Sequence, residues 1–158
     1  ADHLLKVGSK APEFALPNQD DEIIKLSSLR GRWVVLYFYP KDDTPGCTVQ
    51  ACDFTTGLKA FEKLDATVLG CSADSTERHR KFIAKHKLTI SLLSDPEHKT
   101  IEKYGAWGKK NLYGKVSMGI LRSTVLVDPV GKIAHVWPMV KSAGHAEVAR
   151  DKLKELRG

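Results

Sequence analysis

The stretch "RWVVLYFY", Arg32 to Tyr39, is a nearly continuous run of aliphatic and aromatic residues closed by Pro40. A run of this kind has no polar alternation to offer solvent, so it demands cover on both faces and reads as a central buried strand. Proline ends it because it has no N–H to give a sheet ladder. From Cys47 to about Leu64 the pattern becomes helical, with Phe54, Leu58, Phe61 and Leu64 recurring at three- and four-residue steps.

Downstream, "ATVLGCS" reads as a second buried strand. "ADSTERHRKFIAKHKL" reads as a helix capped by Asp74 or Ser75, with Phe82, Ile83 and the neighbourhood of Ala84 facing inward. A strand at "TISLLS" leads to a short helix near "EHKTIEKYG", closed by Gly105. "STVLVDPVGKIAHVW" reads as a β-hairpin turning at Asp128 to Gly131, and a last helix from about Gly144 carries Ala146, Ala149, Leu153 and Leu156 on one side. An earlier short strand falls in "EIIKL". This order calls for an α/β fold, a central mixed sheet with helices on both faces. A site is expected beyond the carboxyl end of a central strand, where "PKDDTPGC" lies.

At 158 residues and 42% apolar types, the chain has material for one core, and one domain spanning 1–158 is expected. No apolar run is long enough to cross a bilayer, and "ADHLLKVGSK" lacks the features of a secretory signal, so a soluble, cytoplasmic protein is expected. The formal net charge of +6 is spread among interleaved acids, with Lys109-Lys110 as a basic doublet in a loop, which argues against a nucleic-acid footprint. Three cysteines make no disulfide framework, so catalytic, metal-binding and buried roles all stay open.

With Thr44 as N-cap, Pro45 takes N1, where its missing N–H is no loss, and Cys47 falls at N3. Anions in a first helical turn are favoured by the free N–H groups and the helix dipole, which suits a thiolate nucleophile. Gly46 would leave the sulfur open to a small substrate. A free cysteine is ordinarily a small buried hydrophobe. Here the polar cap and the acidic pair Asp42-Asp43 argue against burial.

Cys52 follows five residues later. On an α-helix that spacing gives about 7.5 Å of rise and about 140° of rotation, placing the Cα atoms about 8.7 Å apart. A disulfide spans no more than about 7 Å between Cα atoms. A bond between the two sulfurs therefore requires the first turns to unwind, which suits a switch better than a staple. Zinc is poorly supported, because no CxxC or HxxxH supplies further ligands. The six histidines are scattered, and His79 and His86 read as solvated residues sharing a helix face.

Pro40, Thr44 and Cys47 match the Pro-x-x-x-Thr-x-x-Cys motif of the peroxiredoxins, and Cys52 matches the second cysteine of the bacterioferritin comigratory protein or PrxQ branch. "KVGSKAPEFALPN" and "YGAWGKKNLYGKVSMGILRSTVLVDPVGKI" extend the resemblance over nearly the whole chain. It implies a thioredoxin-like fold with a short N-terminal β extension, reduction of hydrogen peroxide and organic hydroperoxides, and no metal or organic cofactor. It also implies regeneration by thioredoxin or a glutaredoxin-like dithiol reductant, and a monomer. The family's active-site arginine falls on Arg122, in "GILRSTVLV", where a guanidinium would favour the Cys47 thiolate and hold the peroxide oxygens.

By the same resemblance, Cys47 becomes a sulfenic acid, Cys52 resolves it, and Thr44 and Pro40 shape the peroxide site. Gln50 stands where many relatives carry Glu and is a candidate helper to the hydrogen-bond network. Asp21 replaces a common turn glycine, Cys71 reads as a buried strand-end thiol, and Trp107 reads as a lid or as core. Two rivals remain: a dithiol–disulfide oxidoreductase, which would ordinarily use the CxxC absent here, and a redox-sensing module without turnover.

Overall fold

The computed structural model describes residues 5–158, apart from the side chain of residue 112. Strands β1 (Ala15–Pro17) and β2 (Ile23–Lys25) form a small antiparallel pair ahead of the main sheet. The core elements are β3 (Trp33–Phe38), α1 (Pro45–Lys63), β4 (Ala66–Ser72), α2 (Thr76–His86), β5 (Ser91–Ser94) and α3 (Lys99–Lys103). They are followed by β6 (Trp107–Leu112), β7 (Lys115–Ile120), β8 (Ser123–Val127), β9 (Ile133–Trp137) and α4 (His145–Arg157). The five-stranded sheet runs β5-β4-β3-β8-β9. β3 pairs parallel with β4 and antiparallel with β8, so it is the central strand that its composition requires.

The two-residue period of β3 sorts its side chains between two cores. Val35, Tyr37 and Tyr39 pack with Ala51, Phe54 and Phe61 of α1 and with Ala146, Ala149 and Leu153 of α4. Val34, Leu36 and Phe38 pack on the other face with Phe14, Leu26, Ile101 and Tyr104. Burying one such aromatic or aliphatic side chain is worth about 1.5–3 kcal/mol. The alternation therefore fixes which residue of β3 reaches which helix. Cys71, at the end of β4, is fully buried in the second core.

Several local expectations need correction. Leu156 is exposed, because the buried stripe of α4, Ala146, Ala149 and Leu153, ends one turn earlier. Ala84 is also exposed, and α2 turns His79 and Phe82 inward instead. Lys109-Lys110, read as a doublet in a loop, lies instead in the β6–β7 hairpin, where Lys109 pairs with Met118 and Lys110 with Ser117. The hairpin is outside the main sheet, and although Val116, Met118 and Ile120 alternate along β7, Val116 and Met118 are exposed and β6 carries no such pattern. Asp21 adopts φ +60, the left-handed conformation for which a glycine would be the easy choice. Gly105, at φ +70, follows α3 as its sequence position predicts.

Candidate active site

The buried strand β3 delivers the chain to Pro40, and the loop of residues 40–44 turns it into α1 at the carboxyl edge of the sheet. Thr44 holds the N-cap position with φ −94° and ψ 155°, and Pro45 opens the helix. The capping bond itself is not made. The Thr44 hydroxyl donates to the Lys41 carbonyl at 2.9 Å, while the Thr44 carbonyl accepts from the Thr48 N–H at 2.9 Å and the Thr48 hydroxyl at 2.8 Å. A hydroxyl that has spent its proton this way still has lone pairs with which to accept one.

Cys47 lies in the first turn of α1 and is 1% exposed, so the sulfur is not left open by Gly46. The missing side chain of Gly46 serves another purpose. A Cβ there would lie 2.8 Å from Ser142 Oγ and 3.3 Å from Arg122 Nη2, so glycine allows both groups to close over the start of the helix. Arg122, just ahead of β8, donates from Nη2 to Cys47 Sγ at 3.2 Å and from Nη1 to Gln50 Oε1 at 2.6 Å. Its carbonyl accepts from the Val140 N–H at 2.9 Å, which ties the segment after β9 to the same place.

The Arg122 guanidinium thus brings a positive charge against the buried Cys47 sulfur, where water screens it far less than in bulk solvent. Gln50 is fully buried, and its Nε2 finds no acceptor among the described residues. Lys110 lies near enough to feel the site: partial burial, then the Arg122 charge, lowers the pKa of its ammonium, and the Cys47 charge opposes that shift. Burial, then Cys47, raises that of the Tyr37 phenol. Nothing in the sequence of β6 marks Lys110 for this position.

Cys52 is half-buried on α1, packed against the first core, and its thiol is free. An unbroken helix carries both Cys47 and Cys52. Cys71 belongs elsewhere: burial raises its thiol pKa well above the usual range, and Asp95 adds to the shift. Trp107 stacks on His98 at 4.1 Å between ring centroids and packs against the second core.

The acidic pair divides. Asp43 is exposed, whereas Asp42 is 3% exposed and bonded to Tyr39 and His79. His79 is fully buried, which corrects its reading as a solvated residue. Its position in "STERHRKF" is compatible with either face, and only packing against β5 and the loop selects the inner one.

The chain matches the AhpC/TSA family over residues 7–136. It is 45% identical to peroxiredoxin Bcp of Bacillus subtilis (strain 168) over 152 residues, covering 96% of this chain and 97% of that protein. It is 44% identical to peroxiredoxin Bcp of Escherichia coli (strain K12) over 151 residues, with 96% and 97% covered. Among solved structures it is similar to the bacterioferritin comigratory protein of Xanthomonas campestris, characterised for alkyl peroxide reduction activity in trapped intermediate and ligand complexes. That similarity has a TM-score of 0.90 and 36% identity, and covers 97% of this chain and 100% of that one.

Proposed function

The chain belongs to the AhpC/TSA family, the peroxiredoxins, and is a thiol-dependent peroxidase of thioredoxin-like fold; from that premise we propose that Cys47 is the thiol that meets the peroxide and Cys52 the one that resolves it. The observation that carries this reading is the contact between Arg122 Nη2 and Cys47 Sγ at 3.2 Å, in the first turn of α1.

The Cys47 thiolate attacks one peroxide oxygen in line with the O–O bond. An S–O bond forms, the O–O bond breaks, and the departing oxygen leaves as water or alcohol once protonated. Sulfur is oxidised to the sulfenic acid and the peroxide is reduced. Thr44 Oγ accepts the hydrogen of the bound peroxide, and Arg122 and the free N–H groups of the first turn hold the charge that develops as the bond stretches. Pro40 shapes the loop beside them. The near-complete burial of Cys47 keeps bulk water from screening these charges and suits a small substrate.

Cys52 then attacks the sulfenic sulfur, expelling water and forming a disulfide. An intact helix holds the two Cα atoms about 8.7 Å apart, beyond the reach of about 7 Å, so residues from Pro45 to beyond Cys52 must unwind first. Thioredoxin or a glutaredoxin-like dithiol reduces the disulfide by exchange. Hydrogen peroxide and organic hydroperoxides are the proposed substrates, the latter supported by the activity of the Xanthomonas protein. A monomer is proposed because both thiols lie on one chain, and the cytoplasm because free thiols suit a reducing compartment.

The test is peroxide-dependent NADPH consumption with a thioredoxin system. Cys47→Ser should lose the activity entirely, and Cys52→Ser should consume about one equivalent of peroxide and stop at the sulfenic acid. Full turnover by Cys47→Ser would refute the assignment.

A further inference from the structure

His79 lies fully buried beneath the loop that leads to Cys47. Its Nδ1 is 2.6 Å from Asp42 Oδ2, and its Nε2 is 2.9 Å from the Leu93 carbonyl oxygen. A carbonyl oxygen only accepts, so Nε2 carries a proton. The contact between Nδ1 and Oδ2 needs a second proton between its atoms, seated on the nitrogen or on the oxygen. The pair thus holds one proton more than a carboxylate beside a neutral imidazole.

Neighbouring groups complete the bonding. The Tyr39 hydroxyl donates to Asp42 Oδ1 at 2.6 Å, and burial, then Asp42, keeps that phenol protonated. The Asp42 N–H donates to Asp74 Oδ2 at 2.8 Å, and Asp74 also accepts from Ser72 Oγ at 2.7 Å and from Arg78 Nε at 3.1 Å. The next loop residue, Asp43, sits at φ +60, and its carboxylate accepts from Lys85 and His86, each at 2.8 Å. Both loop aspartates are therefore tied to α2 or to Asp74 just before it, whereas the helix that carries the thiols starts only at Pro45.

We propose that His79 is a positioning residue for peroxide reduction: through the proton it shares with Asp42 it clamps the 40–44 loop to α2 and so fixes Thr44 and the first turn of α1 around Cys47. This rests on Cys47 being the peroxide-reacting thiol. The clamp also sets where unwinding begins, since the loop through Asp43 stays docked to α2 while the chain from Thr44 onward releases.

The experiment compares the parent with His79→Phe and with the double variant Asp42→Asn/His79→Phe, which removes the buried charge that the single change would strand. Each reduced protein is reacted separately with hydrogen peroxide and with iodoacetamide. A misplaced site costs on the order of 100-fold in rate, so the ratio of peroxide to iodoacetamide rate constants should fall at least about tenfold in the double variant while it remains folded. General destabilisation would move the melting temperature without moving that ratio. Nitrogen-15 NMR of the reduced parent should show a slowly exchanging downfield proton bridging His79 and Asp42. Amide exchange of the disulfide form should leave the Asp42 amide protected while Thr48 to Phe54 open.

An unchanged rate ratio in the folded double variant, or a His79 with one ring proton and no bridge, overturns the clamp. Loss of Asp42 protection together with α1 overturns the hinge. A parent that fails to reduce peroxide refutes the peroxidase reading, and the NMR and exchange results still judge the pair itself.

Discussion

Replacing Arg122 separates its two hydrogen bonds, because each terminal nitrogen serves a different partner. Nη2 contacts Cys47 Sγ at 3.2 Å and Nη1 contacts Gln50 Oε1 at 2.6 Å. A hydrogen bond involving a charged group contributes about 1.5–3 kcal/mol. Losing the one to sulfur should slow peroxide reduction about 10- to 150-fold, at 1.36 kcal/mol per decade of rate. Losing the other leaves the buried Gln50 oxygen unpaired, which costs about 1–3 kcal/mol of stability. In a chain of this size each kcal/mol moves the melting temperature by about 2–4 °C.

Arg122→Met should show both losses. Arg122→Lys keeps the charge but cannot bridge two partners with a planar fork, so it should fall between Met and the parent. The assay is a single-turnover stopped-flow measurement of the reduced protein mixed with hydrogen peroxide, beside a thermal melt of each variant. A rate for Arg122→Met within threefold of the parent would refute the reasoning, because it would mean that the guanidinium does not act on the sulfur it touches.

Three further outcomes are expected. Gln50→Glu gives Arg122 a carboxylate partner and puts a second negative charge near the thiolate, so alkylation of Cys47 by iodoacetamide at pH 7 should slow several-fold; an equal or faster rate would contradict this. His145, buried against Thr124, Phe54 and Trp137, has its pKa lowered from the ordinary 6.5 to about 4 by burial. The unfolded chain therefore takes up a proton between those values that the folded chain refuses. This contribution to stability is complete above about pH 6.5 and is lost as the pH falls towards 4, amounting to at most about 3 kcal/mol. The urea midpoint of the parent should drop more between pH 7.5 and 4.5 than that of His145→Gln, and parallel drops would exclude His145 as the cause. Cys71, whose pKa is raised by burial, should resist alkylation in the reduced native protein and react only after denaturation, as mass mapping of modified peptides would show.

Much of the scaffold was legible in short runs of residues. "ATVLGCS" is β4 residue for residue, Ser75 caps α2 by accepting from the Arg78 N–H, and the turn at Asp128 to Gly131 joins β8 to β9. These features were readable because local chemistry decides them: a buried strand needs an unbroken apolar run, and a cap needs a side-chain oxygen at one position. The β6–β7 hairpin was not read, since β6 carries no apolar alternation and that of β7, at Val116, Met118 and Ile120, faces mostly solvent. The Thr44 cap was half legible. The backbone takes the capping conformation, but the hydroxyl donates to the Lys41 carbonyl and its oxygen accepts no capping N–H bond.

The sequence alone determined the order of elements, the placing of Cys47 in a first helical turn, and the five-residue spacing that forbids a disulfide on an intact helix. Those follow from propensities and helix geometry, which act over a few residues. Only the tertiary structure decided that Cys47 is buried under Arg122, that Gly46 makes room for this, and that Asp42 reaches a buried His79 thirty-seven positions away. Each of those depends on segments distant in the chain meeting across the sheet, and which side chains meet is set by packing, which no local pattern records.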